Sequence, residues 1–148
     1  MDEVAISLGI LASASTLYGF ALAYYIFART LHEMQEERAA ARLNLDSRGA
    51  HDKLREIFRR TMLLDAFLLG ATVAFLFSVS LNLQFLSDHL GGLTPFVWRI
   101  GIGFAGLLFG LSALGFYVGI RNFIWAFSQW SEHRKWLERN PRKPAGEL

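Results

Sequence analysis

At 148 residues the chain has the length of one domain, and its 53% hydrophobic content and mean hydropathy of +0.28 exclude an ordinary soluble domain of that size. It holds no cysteine, which excludes structural disulfides, cysteine-based zinc sites and thiol redox chemistry. A net charge of +2 is too small to suggest a nucleic-acid partner, but the charges are unevenly placed.

Three stretches carry no charge at all: Val4 to Ala28, Ala66 to Ser87 and Ile100 to Ile120. Each exceeds the roughly 20 residues that a helix needs to cross about 30 Å of hydrocarbon. The roughly 80 remaining residues are too few to cover three such helices in water. The expected fold class is therefore all-α: an integral membrane protein, one domain over 1–148, with spans at about 5–28, 62–86 and 96–120. All but Arg99 of the 15 Lys and Arg residues lie between the first two spans or from Arg121 onward. By the positive-inside rule, the N-terminus and the Ser87 to Pro95 loop are expected outside a cell (inner or plasma) membrane, with the middle segment and the C-terminus in the cytoplasm.

The first span is preceded by Asp2 and Glu3 and followed by basic residues. That is the reverse of a secretory leader, although Ala12 to Ser15 resembles a cleavage site. Gly9, Ala12, Ser15, Thr16, Gly19 and Ala23 fall within about 120° of helical arc, a thin face able to dock into another helix. Tyr24, Tyr25 and Phe27 are expected at headgroup level.

The charged segment 29–60 reads as a cytoplasmic helical hairpin. Leu31, Met34, Ala41 and Leu45 suggest a narrow coiled-coil seam, interrupted by Arg38. Asn44, Asp46, Ser47 and Gly49 supply a turn, with a second helix restarting near Ala50. His32, Glu33, Glu36 and Glu37 contain a His/Glu pair at i and i+4, but on an exposed helix this spacing is common, so a solvated face is expected and no metal site.

In the second span Thr61, Asp65 and Thr72 share a face within about 40°, and Gly70, Ala74 and Ser78 add small residues at a spacing of four. Asn82 and Gln84 mark its far end. The third span, begun by Pro95, carries two opposed grooves. Arg99, Gly103, Gly106, Gly110, Ala113, Tyr117 and Arg121 lie within about 40° of one line, and Gly101, Ala105, Ser112, Gly115 and Gly119 lie opposite. Small residues matter in lipid because they let backbones approach and gain dispersion contact, so two grooves predict two partner helices. After Arg121, the residues Phe123, Phe127, Trp130 and Leu137 oppose Glu132, Arg134, Lys135 and Glu138, which predicts an amphipathic interfacial helix ahead of a frayed tail.

Ionisable groups at membrane depth call for partners. Asp65 and Arg121 lie at the same ends of antiparallel spans and are candidates to pair, the alternative being that each snorkels to the interface, while Arg99 is within reach of Asn82, Gln84 or Asp88. With no acidic residue or histidine near the bilayer centre, a proton pump is not indicated. No haem ligand pair or P-loop is present, and Gly101, Gly103 and Gly106 lack the strand that a dinucleotide fingerprint requires, so no cofactor is expected. Acid-base candidates sit only at the rims, which argues against an enzyme; no catalytic residue is assigned.

The expected function is tight helix association in the bilayer, as a homo-oligomer or as an accessory subunit of a membrane complex. The packing positions are Gly103, Gly106, Gly110, Ala113, Gly115 and Gly119 on the third span, with Ser15, Gly19 and Ala23 on the first. The competing class is an oligomeric ion channel or small transporter, lined by Ser13, Ser15, Thr16, Thr72 and Ser112, since hydroxyls and carbonyls can suffice for conduction.

Overall fold

The computed structural model describes the backbone of residues 2–89 and 95–141, and the side chains of residues 5–84, 88 and 106–141. Among these residues there are three helices and no strand: α1 (Asp2–Ala40), α2 (Ser47–His89) and α3 (Pro95–Arg139). At 39, 43 and 45 residues they reach about 58, 64 and 67 Å at roughly 1.5 Å per residue, about twice the hydrocarbon thickness. All three are long and apolar enough to cross a membrane. In each, an apolar half continues without a break into a charged half.

The ends follow local chemistry. After Ala40 the chain tightens into three-residue turns, with Arg42 N–H donating to Ala39 O, Leu43 N–H to Ala40 O and Leu45 N–H to Arg42 O. Asp46 then caps α2, its Oδ1 accepting from Gly49 N–H at 3.0 Å while its carbonyl accepts from Ala50 N–H. The helix thus restarts at Ser47, three residues before the expected position, because the cap is Asp46. Pro95 opens α3, where its missing N–H has no consequence.

α2 is central. It packs along both neighbours, whereas the described backbones of α1 and α3 do not approach one another and these two helices meet only through side chains. The inward positions of α1 are Ser7, Leu11, Ala14, Tyr18, Tyr25, His32 and Ala39. Those of α3 are Ser112, Gly115, Gly119, Asn122, Ala126, His133 and Leu137. Both sets step by threes, fours and sevens, which is the spacing of helices packed at a shallow angle.

The two halves of the bundle are held differently. In the charged half, Ala39, Leu54, Ile57, Phe58 and Ala126 form a buried cluster covered by Leu43, Met62 and Trp130. This is a hydrophobic core of the kind water drives. In the apolar half, hydrogen bonds join the helices alongside aromatic and aliphatic contacts. Ser7 Oγ donates to Asn82 Oδ1 at 2.9 Å near the far end, Tyr18 meets Thr72 at 3.0 Å, and Tyr25 meets Asp65 at 2.8 Å. Tyr18 also stacks on Phe75, with ring centroids 4.5 Å apart. Lipid tails are as apolar as the side chains, so polar pairs and close packing have to supply what hydrophobic burial supplies in water.

Two expected surfaces lie elsewhere. Leu31, Met34 and Leu45, of the anticipated seam, are exposed; the register set by Tyr18 and Tyr25 carries seven residues on to His32 and again to Ala39, and these turn inward instead. Likewise α3 does not break after Arg121 into a separate helix. It continues as one helix to Arg139, with Ala126 and Leu137 buried and Phe127 facing out. Packing on α2 and α1 holds residues 121–139 in the bundle.

Candidate functional site

The most concentrated chemistry lies where the apolar half gives way to the charged half. Asp65 is fully buried, at 0% exposure, one side of its carboxylate accepting from Tyr25 Oη at 2.8 Å. Tyr25 Oη in turn accepts from Asn122 Nδ2 at 3.0 Å. One hydroxyl on α1 thereby ties α2 to α3. The neighbouring tyrosine has a different fate. Tyr24 is 60% exposed and sets its ring edge against Phe67, whereas Tyr25 is 6% exposed.

Arg29, one turn beyond Tyr25, completes the clasp. Its Nη1 lies 4.0 Å from Asp65 Oδ2, its Nε donates to Glu33 Oε1 at 3.0 Å, and its guanidinium sits 5.5 Å from the Trp125 ring centroid. Among the described residues neither Arg29 Nη1 nor Asp65 Oδ2 has a hydrogen-bond partner, although both are buried. The cation offsets the Asp65 charge without bonding to it. Arg121, the candidate partner of Asp65, is exposed and lines a cavity of about 200 Å³ with Arg29, Asn122 and Trp125.

Two turns deeper, Thr72 Oγ1 donates to Leu68 O at 2.8 Å, so the contact with Tyr18 is donated by the tyrosine. Gly115 makes room for that hydroxyl. A Cβ there would meet Tyr18 Oη at 3.0 Å, and one at Gly119 would come within 2.9 Å of Leu69 Cδ2. Beyond the clasp, His32 Nδ1 lies 3.1 Å from Thr61 Oγ1.

The opposite groove of α3 is open. Gly106 and Gly110 are exposed and a Cβ on either would meet nothing within 4 Å; Ala113 is exposed beside them. On α1 the same holds for Gly9 and Gly19, and Ala23 is exposed, while Ser15 is half-buried with its hydroxyl donating to Leu11 O. The hydroxyl positions do not share one face. Ser13 and Thr16 point outward, Thr72 and Ser112 are buried within the chain, and Ser112 donates to Leu108 O. Asn82 is used by Ser7 and by Ser78 O, and Gln84 is exposed. The side chains of Gly103 and Arg99 lie outside the described residues.

Several participants carry no local signature. Tyr25, Arg29 and Asn122 are distant in sequence from Asp65, and only the sevenfold spacing of Tyr18, Tyr25 and His32 hints that these side chains share a face. A second such pair lies deep in the charged half. His51 and His133 place Nδ1 against Nδ1 at 2.7 Å, between Trp136, stacked on His51 at 3.8 Å, and Phe58, stacked on His133 at 5.5 Å. Burial lowers both imidazole pKa values from 6.5, and for His133 the neighbouring His51 adds to the effect. Among the described residues no three His, Cys, Asp or Glu side chains converge on one point.

Three antiparallel helices, each apolar for half its length and clasped by buried polar side chains, define a multi-pass membrane protein. No protein-family model, curated protein or solved structure matches the chain.

Proposed function

We propose that the protein is a non-enzymatic component of a cell membrane that works by helix association, as a homo-oligomer or as an accessory subunit of a larger membrane complex. Its N-terminus is outside and its C-terminus cytoplasmic, as the clustering of basic residues in 29–60 and beyond Arg121 favours. The charged halves of the helices then form a cytoplasmic hairpin with the end of α3 packed alongside.

The observation that carries this reading is the contrast between the two grooves of α3. The one built from Ser112, Gly115 and Gly119 is filled from within, by Tyr18, Leu68 and Leu69; the one built from Gly106 and Gly110 receives nothing from the described residues. The thin face of α1 is also open, on the side away from α2, at roughly 100 to 180° from Tyr18. Gly9 lies nine residues before Tyr18 and Gly106 nine before Gly115, so the two faces sit at matching depth on parallel helices. The α1 face of one copy can therefore seat in the α3 groove of the next. Such a head-to-tail contact closes into a ring when its rotation permits.

A conducting path along the hydroxyl positions has less support, because Thr72 and Ser112 are spent inside one chain. The chain has no cysteine of its own, which allows a clean test. Copies carrying Gly9→Cys mixed with copies carrying Gly106→Cys are expected to form an intermolecular disulfide in membranes, and Leu63→Cys with Gly106→Cys is not. Equal yields from both pairs reject the α1–α3 contact. Ion flux through purified protein in liposomes at the level of empty vesicles argues against a pore.

A further inference from the structure

The cavity between α1 and α3 has a cationic lining, unlike the recesses lined by Ile6, Ile10 and Phe77 and by Ala14, Leu17 and Phe75. Arg29, Arg121, Asn122 and Trp125 surround about 200 Å³ on the side where these two helices are bridged only by side chains. Arg29 is already balanced, by Asp65 at 4.0 Å and Glu33 at 3.0 Å, yet its Nη1 has no hydrogen-bond acceptor among the described residues. Arg121 forms no ion pair with any described carboxylate. Asn122 uses one amide N–H on Tyr25 and keeps the second. The recess thus offers N–H donors from Arg121 and Asn122 and one positive charge that no described carboxylate compensates. A single negative charge with several acceptor oxygens would satisfy it.

Its position narrows the source of that charge. On the membrane side α3 presents the exposed apolar side chains of Tyr117 and Ile120, and on the other side the charged half begins. Trp125, 41% exposed at the rim, is the residue type that settles at headgroup level. An anion held here with its neighbouring apolar surface covered is a lipid. We propose that the cleft binds the phosphodiester headgroup of an anionic phospholipid, its oxygens accepting from Arg121 and Asn122 beside the Arg29 guanidinium and its acyl chains lying against Tyr117 and Ile120. This rests on membrane embedding but not on self-association.

The test uses the full chain in dodecyl maltoside micelles, with the thermal midpoint read while phosphatidylglycerol, phosphatidylcholine or sodium phosphate is added. A lipid that binds the folded chain raises the midpoint by mass action. Phosphatidylglycerol is expected to act at lower mole fraction than phosphatidylcholine, sodium phosphate to have no effect, and Arg121→Gln to weaken the phosphatidylglycerol response at least about fivefold. Lys135→Gln, which removes an exposed charge outside the cleft, is expected to respond as the wild type does. An unchanged response in Arg121→Gln overturns the proposal. So does an equal loss in Lys135→Gln, which means diffuse surface attraction, or an equal midpoint rise with sodium phosphate, which means a site for free anions. Arg121 is exposed and bonds to nothing in the clasp, so its replacement leaves the fold available for measurement.

Discussion

Replacing Tyr25 with Phe removes a single oxygen, and the structure assigns that oxygen two bonds: one donated to Asp65 at 2.8 Å, one accepted from Asn122 at 3.0 Å. Hydrogen bonds between membrane helices average about 0.6 kcal/mol and reach about 1.7, and bonds to a charged group run about 1.5 to 3. The loss of both is therefore expected to destabilise the chain by about 2 kcal/mol, with no cavity left behind. Asp65→Ala should cost more, about 3 kcal/mol, because it leaves Arg29 with only the exposed Glu33 as counter-ion as well as Tyr25 without its acceptor. In the double variant the phenolic oxygen has only the Asn122 bond left to lose, so the two effects should fall short of additive by about 1.5 kcal/mol. The assay is reversible unfolding in mixed micelles, titrated with sodium dodecyl sulfate and followed by helical circular dichroism. Tyr24→Phe, on the exposed neighbour, is the control and should change stability by less than about 0.5 kcal/mol. Strict additivity, or equal effects at Tyr24 and Tyr25, would falsify the clasp.

Other consequences are equally measurable. Gly119→Leu, which would drive a side chain into Leu69 and Leu68, should destabilise the isolated chain by about 1 to 3 kcal/mol, whereas Gly106→Leu should leave it near wild type in the same titration. Phe58→Ala, in the charged-half core, should cost about 3 to 5 kcal/mol and Phe77→Ala, which is exposed, much less. The histidine pair predicts a pH dependence. Folded-state pKa values lie below 6.5, so the unfolded chain binds protons first, and stability should be at its plateau above pH 6.5 and fall progressively as pH drops through 6.5 toward the lowered values. His133→Gln should flatten that fall, and a wild-type curve level below pH 6.5 would remove the basis for it.

The membrane-spanning character of the three helices is legible in the sequence because it depends on one-dimensional facts: runs without charge, their length, and basic clusters beside them. Which faces pack is legible only in part. Two thin faces on α3 are evident from glycine spacing, but nothing local distinguishes Gly115 and Gly119, which are used within the chain, from Gly106 and Gly110, which are open. Ion pairing is harder. Asp65 has two arginines at the same depth, and proximity in the third dimension gives the nearer place to Arg29, because α1 turns that position toward α2 while Arg121 faces out. Tyr24 and Tyr25 are indistinguishable by composition, and a rotation of 100° sends one to the surface and the other into the clasp. His51 and His133 stand apart in the chain, and only the antiparallel return of α3 joins them.

Association through the open groove is the claim on which the functional reading turns, and the oligomeric state of the full chain in lipid nanodiscs reads it directly. Wild-type protein is expected to give a discrete assembly of more than one copy, with Gly106→Leu and Gly110→Leu shifting it to single chains while Leu111→Ala does not. A wild-type chain that stays single at every protein-to-lipid ratio, with no other subunit copurifying, contradicts it.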